Sequence, residues 1–406
     1  MSARTECSHF IPVPTGELVR LLCESPDLPA GHAPAFREVA SLLAQVLHHD
    51  LNARLARLRD AYQPFDPDAD SPSLYPPESQ ERQSRLNGLL RELNWLLTRA
   101  HFRHMGREEL EPLLAEASEW GIRMAVDFSV FEHVSMFVRG ESFETRKYRG
   151  WRSLWQEREI EVPIYRRLVL AMKLRQHPRL GPGVDTRSVF LKLFKDIPRA
   201  DADMLLPGAR VRMNLLDRGK IGAGLLSGLG TMGYRLMADI GQFLHNFEMA
   251  TLGLFAGVAG YGFKSYSDYQ TTRQAYHLSL TQSLYFQNLD SNAGVLARLV
   301  DEAEQQQART ALLAWFCLWR YPAPGGVTAD DLATAMDLYL DRYAQVPVLS
   351  EVGEALEHLR AFGMVEEAAG RLRPVPPETA AARLRQEWEA RGGQSPAAAG
   401  RSTWGG

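Results

Sequence analysis

Cysteine is scarce. The chain has three in 406 residues (Cys7, Cys23 and Cys317), too few for a disulfide framework. Net charge is only −3, and a mean hydropathy of −0.25 excludes a polytopic transporter. The first thirty residues hold Pro12, Pro14, Pro26 and Pro29 and no apolar run, so no secretory signal is expected there. Gly-x-Ser-x-Gly, Walker A and His-Glu-x-x-His patterns are all missing. Each absence removes one common route to catalysis. The reading leaves enzymatic activity open but leans against it, and it expects no cofactor.

What is present is an uneven distribution of charge. Arg146 to Lys220 carries 18 Lys/Arg against 8 Asp/Glu, a balance of +10, so the rest of the chain carries −13. Such a block meets phosphate, as nucleic acid, anionic lipid or a phosphorylated ligand. Lys195, Arg199, Arg210, Arg212, Arg218 and Lys220 are its candidate phosphate or anionic-lipid contacts. Asp196, Asp201 and Asp203 are alternate carboxylates that could hold Mg²⁺ through water. Turn and cap chemistry before a helix at Met204 explains those three more simply.

Composition changes abruptly after Lys220. Ile221–Tyr234 and Met249–Phe263 are uncharged runs of 14 and 15 residues, joined through Arg235, Asp239, His245 and Glu248. A spanning helix needs ~20 predominantly apolar residues, so each run requires an extension toward an interface. Gly224 and Gly228 stand four apart, as do Gly253 and Gly257, a small-residue spacing suited to close helix pairs in a membrane or a homo-oligomer. The expectation is a transmembrane hairpin. Basic residues on both outer flanks place the two termini on the cytoplasmic side. Gly228-Leu229-Gly230-Thr231-Met232-Gly233 fits the bare dinucleotide-binding pattern, but no βαβ context surrounds it.

Elsewhere the pattern is mostly helical. Apolar residues recur at helical steps from Phe36 to Leu58 and again from about Gln80 to Arg103, with a third helix near 107–117. His101 and His104 would lie three apart on a helix, a metal-ligand spacing with no third ligand at hand. The Val- and Phe-rich stretch 124–138, ending at Arg139-Gly140, suggests a strand or a hairpin; 160–174 mixes a strand start with a longer apolar segment, and 189–194 and 210–215 look like strands. Tyr269 to Gln307 reads as helix, broken near Asn288–Asn292, and Arg309 to Trp319 as another. Thr328, followed by Asp330 and Asp331, marks a helix start. Helix, helix and hairpin to about Val375 resemble a winged helix. Residues 328–373 balance to −5, so nucleic-acid reading through this module is disfavoured and a protein contact is expected.

The fold class expected is therefore mainly α with a small α+β module. Its parts are a helical N-terminal region (1–120), a basic α+β module (121–220), the hairpin anchor (221–263), a helical connector (264–320), an acidic winged-helix-like module (326–390) and a disordered tail (391–406). Six stretches carry a resemblance: His9–Pro14, Tyr62–Asp68, Phe194–Asp201, Met204–Gly208, Asp217–Ile221 and Leu284–Asp290. In these the chain resembles the domain-of-unknown-function 3754 family, which includes animal transmembrane protein 143. That resemblance implies two membrane spans and supplies no catalytic residues. The resulting expectation is a membrane-anchored scaffold with the lipid bilayer and an unidentified protein as partners. The alternative is a membrane-face enzyme acting on a phosphate-bearing or lipid substrate.

Overall fold

The apolar positions from Phe36 to Leu58 fold as their spacing dictates, into one face of a long helix. The computed structural model describes residues 9–25, 28, 31–70, 79–106, 109, 123–149, 157–178, 180, 183–207, 210–212, 285–321, 323 and 325–392. Helix α1 (Thr15–Cys23) leads to α2 (Ala33–Tyr62), whose first turn contains a proline with φ already set for a helix. Helix α3 (Ser79–Arg99) stops because His101 takes a left-handed φ of 57°. Three residues of β1 (Arg103–Met105) follow directly.

A five-stranded antiparallel sheet fills the centre, in the order β1, β3 (Phe131–Arg149), β4 (Glu157–Leu174), β5 (Val189–Pro198) and β7 (Asn288–Ser291). Two short strands, β2 (Arg123–Ala125) and β6 (Arg210–Arg212), pair separately. Period-two alternation sorts the side chains. Val169 and Ala171 of β4, with Phe137, Leu191 and Leu193, face the helices. Leu168, Leu170, Met172 and Leu174 face the other way, under Val130, Leu205 and Leu206. Both faces are therefore buried.

The C-terminal part begins with α4 (Ala293–Arg320), then α5 (Ala329–Ala344), α6 (Gly353–Ala361), the hairpin β8 (Val365–Ala368) and β9 (Arg371–Pro374), and α7 (Pro377–Ala390). Val327 bridges to Leu372 with backbone hydrogen bonds of 3.0 and 2.8 Å. Gly326 beside it has φ +87°, and an added Cβ would stand 2.9 Å from the Arg371 Cβ. Only glycine fits there.

Helix α4 links two interiors. Its first half, Val295 to Ala303, joins the core formed by the sheet, α3 and the second half of α2. Its second half, Ala308 to Leu318, joins the core shared by α1, the first half of α2 and the C-terminal elements. Hydrophobic clusters thus run across the boundaries drawn from composition.

Charge is also used inside. Arg139 is 8% exposed; it donates to the Ala100 carbonyl at 2.8 Å and to Glu302 at 2.5 Å. The Phe10 and Phe102 rings lie 4.7 and 4.5 Å from its guanidinium carbon. Burial pulls its pKa down against the opposing pull of Glu302. Glu302 is approached in addition by Arg167 at 3.6 Å and Arg298 at 3.5 Å.

Three expectations require correction. Helix does predominate, but the α+β part is not small: strands of 19 and 18 residues form the middle of a five-stranded antiparallel sheet covered on both faces. The sequence reading ended a strand at Gly140, yet β3 continues. There φ is +72°, and a Cβ would meet the Arg166 side chain at 3.1 Å. Finally, no helix among the described residues is long and apolar enough to cross a membrane, so the transmembrane hairpin is not supported. Its two uncharged runs fall short of the ~20 residues a span requires. Residues 221–263, with Gly224, Gly228, Gly253 and Gly257, lie outside the described residues, as do most of 107–117 and everything beyond 392.

Candidate functional site

The residues expected to meet phosphate are only partly brought together. Lys195 sits half-buried on β5, registered opposite Arg167 of β4. Arg199, just past the strand, pairs with Glu141 at 2.6 Å and lies 5.2 Å from the Tyr165 ring centre. Glu141 also takes Arg103 at 3.0 Å. Arg210 and Arg212 lie on β6, while Arg218 and Lys220 fall outside the described residues.

Asp196 holds φ 51°, and its carbonyl accepts a hydrogen bond from Gln287 at 2.9 Å. Asp201 and Asp203 belong to the 3₁₀ segment Arg199–Leu205. No group of three His, Cys, Asp or Glu side chains among the described residues is placed to hold a metal ion.

The Gln287 bond ties a second feature to the end of β5. Tyr285 and Phe286 are 77% and 71% exposed, with ring centres 5.2 Å apart in an edge-to-face arrangement. Register places β7, immediately after them, against Lys192, Leu193 and Phe194 of β5. Two exposed aromatic rings therefore directly precede the residue that bonds Asp196 at the end of β5.

A separate cleft of about 200 Å³ opens where α3 leans over the β1 edge of the sheet. Leu90, Leu93 and Asn94 of α3 form one wall. The other is built by alternation along β3: His133, Ser135 and Phe137 project to the same face, with Ala171 registered opposite Ser135 and His104 opposite Phe137. A register irregularity between Phe131 and His133 sets this phase. Glu132 at the irregularity pairs with Lys173 at 2.6 Å.

Ser135 Oγ and His133 Nε2 are 2.9 Å apart, and the His104 ring lies edge-on to Phe137 with centres 4.9 Å apart. Burial, and then the neighbouring His104, lower the His133 pKa below its ordinary value. A hydroxyl hydrogen-bonded to a neutral imidazole is the start of a nucleophile–base pair. The described lining supplies no carboxylate to orient the imidazole.

This cleft was not legible beforehand. His101 and His104 were expected on one helix, but α3 ends at Arg99, before both, and of the two only His104, on β1, lines the cleft. The alternation His133–Ser135–Phe137 was a usable signal.

Comparison with known proteins adds a class without a chemistry. Residues 131–294 match the family model described as a protein of unknown function (DUF3754). The match runs from the start of β3 into the first turn of α4, so it covers the central strands of the sheet. That stretch is identified as a domain of unknown function. No solved structure matches the chain.

Proposed function

We propose that this protein is a non-catalytic adaptor that rests on an anionic membrane surface and recruits a protein partner, without spanning the bilayer. The observation that carries this reading is the exposed Tyr285–Phe286 pair, followed by Gln287, which is bonded to the Asp196 carbonyl near the end of β5. Aromatic rings favour the headgroup boundary of a bilayer, where an apolar body and polar surroundings coexist. Each ring offers roughly 150 Å² or more, and burial at about 25 cal/mol per Å² is worth several kcal/mol for the two. A nearby Lys or Arg adds ~1 kcal/mol on anionic lipid. The rings should therefore dominate and the basic block should steer. The likeness to animal transmembrane protein 143 supports the membrane-facing half of this reading only as a likeness of motifs.

The recruiting half lies at the C-terminus. Its element order, a bridge strand, two helices and a hairpin, supports the reading of a winged-helix-like module. The helix that would enter a DNA groove is α6, but Arg99 of α3 already holds its Glu354 at 3.0 Å and Glu357 at 2.8 Å. Exposed Leu338 and Leu349 flank the 2.8 Å hydrogen bond from the Ser350 N–H to Asp337. That apolar patch on an acidic unit suits a protein contact.

The test is flotation of the full chain with phosphatidylcholine vesicles with and without phosphatidylserine. Binding to anionic vesicles is expected, weakened by high salt and lost in a Tyr285→Ser/Phe286→Ser double variant. No flotation at low salt, or unchanged flotation of the double variant, would overturn the reading.

A further inference from the structure

We propose that the cleft between α3 and the sheet edge binds a small monocarboxylate with an apolar body, the carboxylate among Asn94, His104, His133 and Ser135 and the body over Leu90, Leu93, Phe137 and Ala171. Nothing in this inference depends on membrane contact, and the cleft lies on a different part of the molecule from the Tyr285–Phe286 pair.

The hollow has an identifiable origin. Along the helix-facing side of β4 the sequence runs Val169, Ala171, Lys173, and the small side chain falls directly opposite Ser135. Protein interiors are close-packed, and unfilled space against apolar side chains destabilises a fold. Here it is retained beneath α3, next to two apolar leucines, where a larger residue would fill it. The same face carries Phe137, Val169, Val189, Leu191 and Leu193, all buried. His133 and Ser135 interrupt that apolar surface with hydrogen-bonding groups at the lip of the hollow.

A volume of about 200 Å³ is below the ~300 Å³ at which drug-sized sites begin. It is the space of about six or seven water molecules. The occupant is therefore small. Its chemistry follows from the division of the lining into an apolar floor and a polar rim.

All four rim groups carry an N–H or O–H that can donate, and a carboxylate is the small head that only accepts. The described lining contains no acidic residue to repel it. The titratable neighbours of His133 are His104 on β1 and Glu132 on its own strand, with Lys173 of β4 paired to Glu132. Helix α3 contributes the neutral Asn94 to the rim. A carboxylate bound beside the neutral His133 favours its protonated form, so proton uptake should accompany binding.

Hexanoate is a suitable probe, titrated into the full chain by calorimetry and followed through the imidazole proton resonances. Saturable binding is expected, tighter at pH 6 than at pH 8, with hexan-1-ol at least about tenfold weaker. Ala171→Leu should fill the floor and abolish binding without lowering the melting temperature. Ser135→Ala, which leaves the shape of the cleft intact, should weaken binding about tenfold even if Ala171→Leu fails to fold. Hexanoate binding that is absent, matched by the alcohol, or indifferent to Ser135→Ala would overturn the proposal.

Discussion

Arg139 shows how a single side chain can hold several elements at once. Its guanidinium meets the Ala100 carbonyl just past the end of α3, the Glu302 carboxylate on α4 and two aromatic rings, from a position on the sheet. Removing one partner of a buried pair leaves the other charge uncompensated, at a cost of about 3–5 kcal/mol. Glu302→Leu should therefore destabilise the fold by that much in urea denaturation. Arg298→Gln removes only a half-exposed neighbour of the same carboxylate and should cost under ~1 kcal/mol. Equal effects would show that Glu302 draws its importance from somewhere other than Arg139. None of this was legible in the sequence, because Arg139 and Glu302 lie 163 positions apart. The basic block in which Arg139's neighbours fall reads as surface until the fold turns one of its partners inward.

At the scale of elements, legibility followed the length of the repeating pattern. Helix α2 was readable because nine apolar residues repeat at helical steps, and the structure adds a few residues at each end. The start of α5 was readable from local chemistry. Thr328 accepts from the Asp331 N–H at 3.2 Å, and its hydroxyl donates to the Asp331 carboxylate at 2.7 Å. Thr328→Ala should cost about 1 kcal/mol in thermal or chemical unfolding, and a loss near zero would mean the helix start is held by packing alone. Strand β7 was missed because its four residues carry no alternation of their own. They are held in place by Asn292, whose side chain accepts from the Leu191 N–H at 3.2 Å and donates to Asp68 at 2.6 Å. Such long-range pairing leaves no periodic trace. The same holds for α4, read as two helices because Gln305–Gln307 interrupts its apolar face.

For the whole molecule, titratable groups collect at the seam between the N-terminal helices and the C-terminal unit. His101 is half-buried near Glu351, Arg139 and His9, and His358 near Arg99, Glu357 and Asp50. Burial first lowers the pKa of each below 6.5. The folded state thus binds fewer protons than the unfolded one once pH drops below that value. Stability should be fully present above about pH 6.5 and fall as the solution is acidified toward the lowered folded pKa values. Burial also raises the Glu354 pKa, which acts in the opposite direction at lower pH. Unfolding midpoints measured at pH 7.5 and 5.5 should differ in the native chain and differ less in a His101→Asn/His358→Gln variant, His133 retaining its own share. Asparagine is chosen because it tolerates the left-handed backbone at 101. An unchanged pH dependence in that variant would place the acid sensitivity elsewhere.

A helix of 28 residues is about 42 Å long, and α4 forms part of two interiors along that length. It works as a shared beam rather than as a connector. A chain severed anywhere along it would open both rooms at once, so the smallest fragment that keeps either interior closed must contain the whole of α4. Evolutionary rearrangement faces the same constraint: neither the sheet nor the C-terminal unit can be exchanged for another module without carrying half of its neighbour's wall.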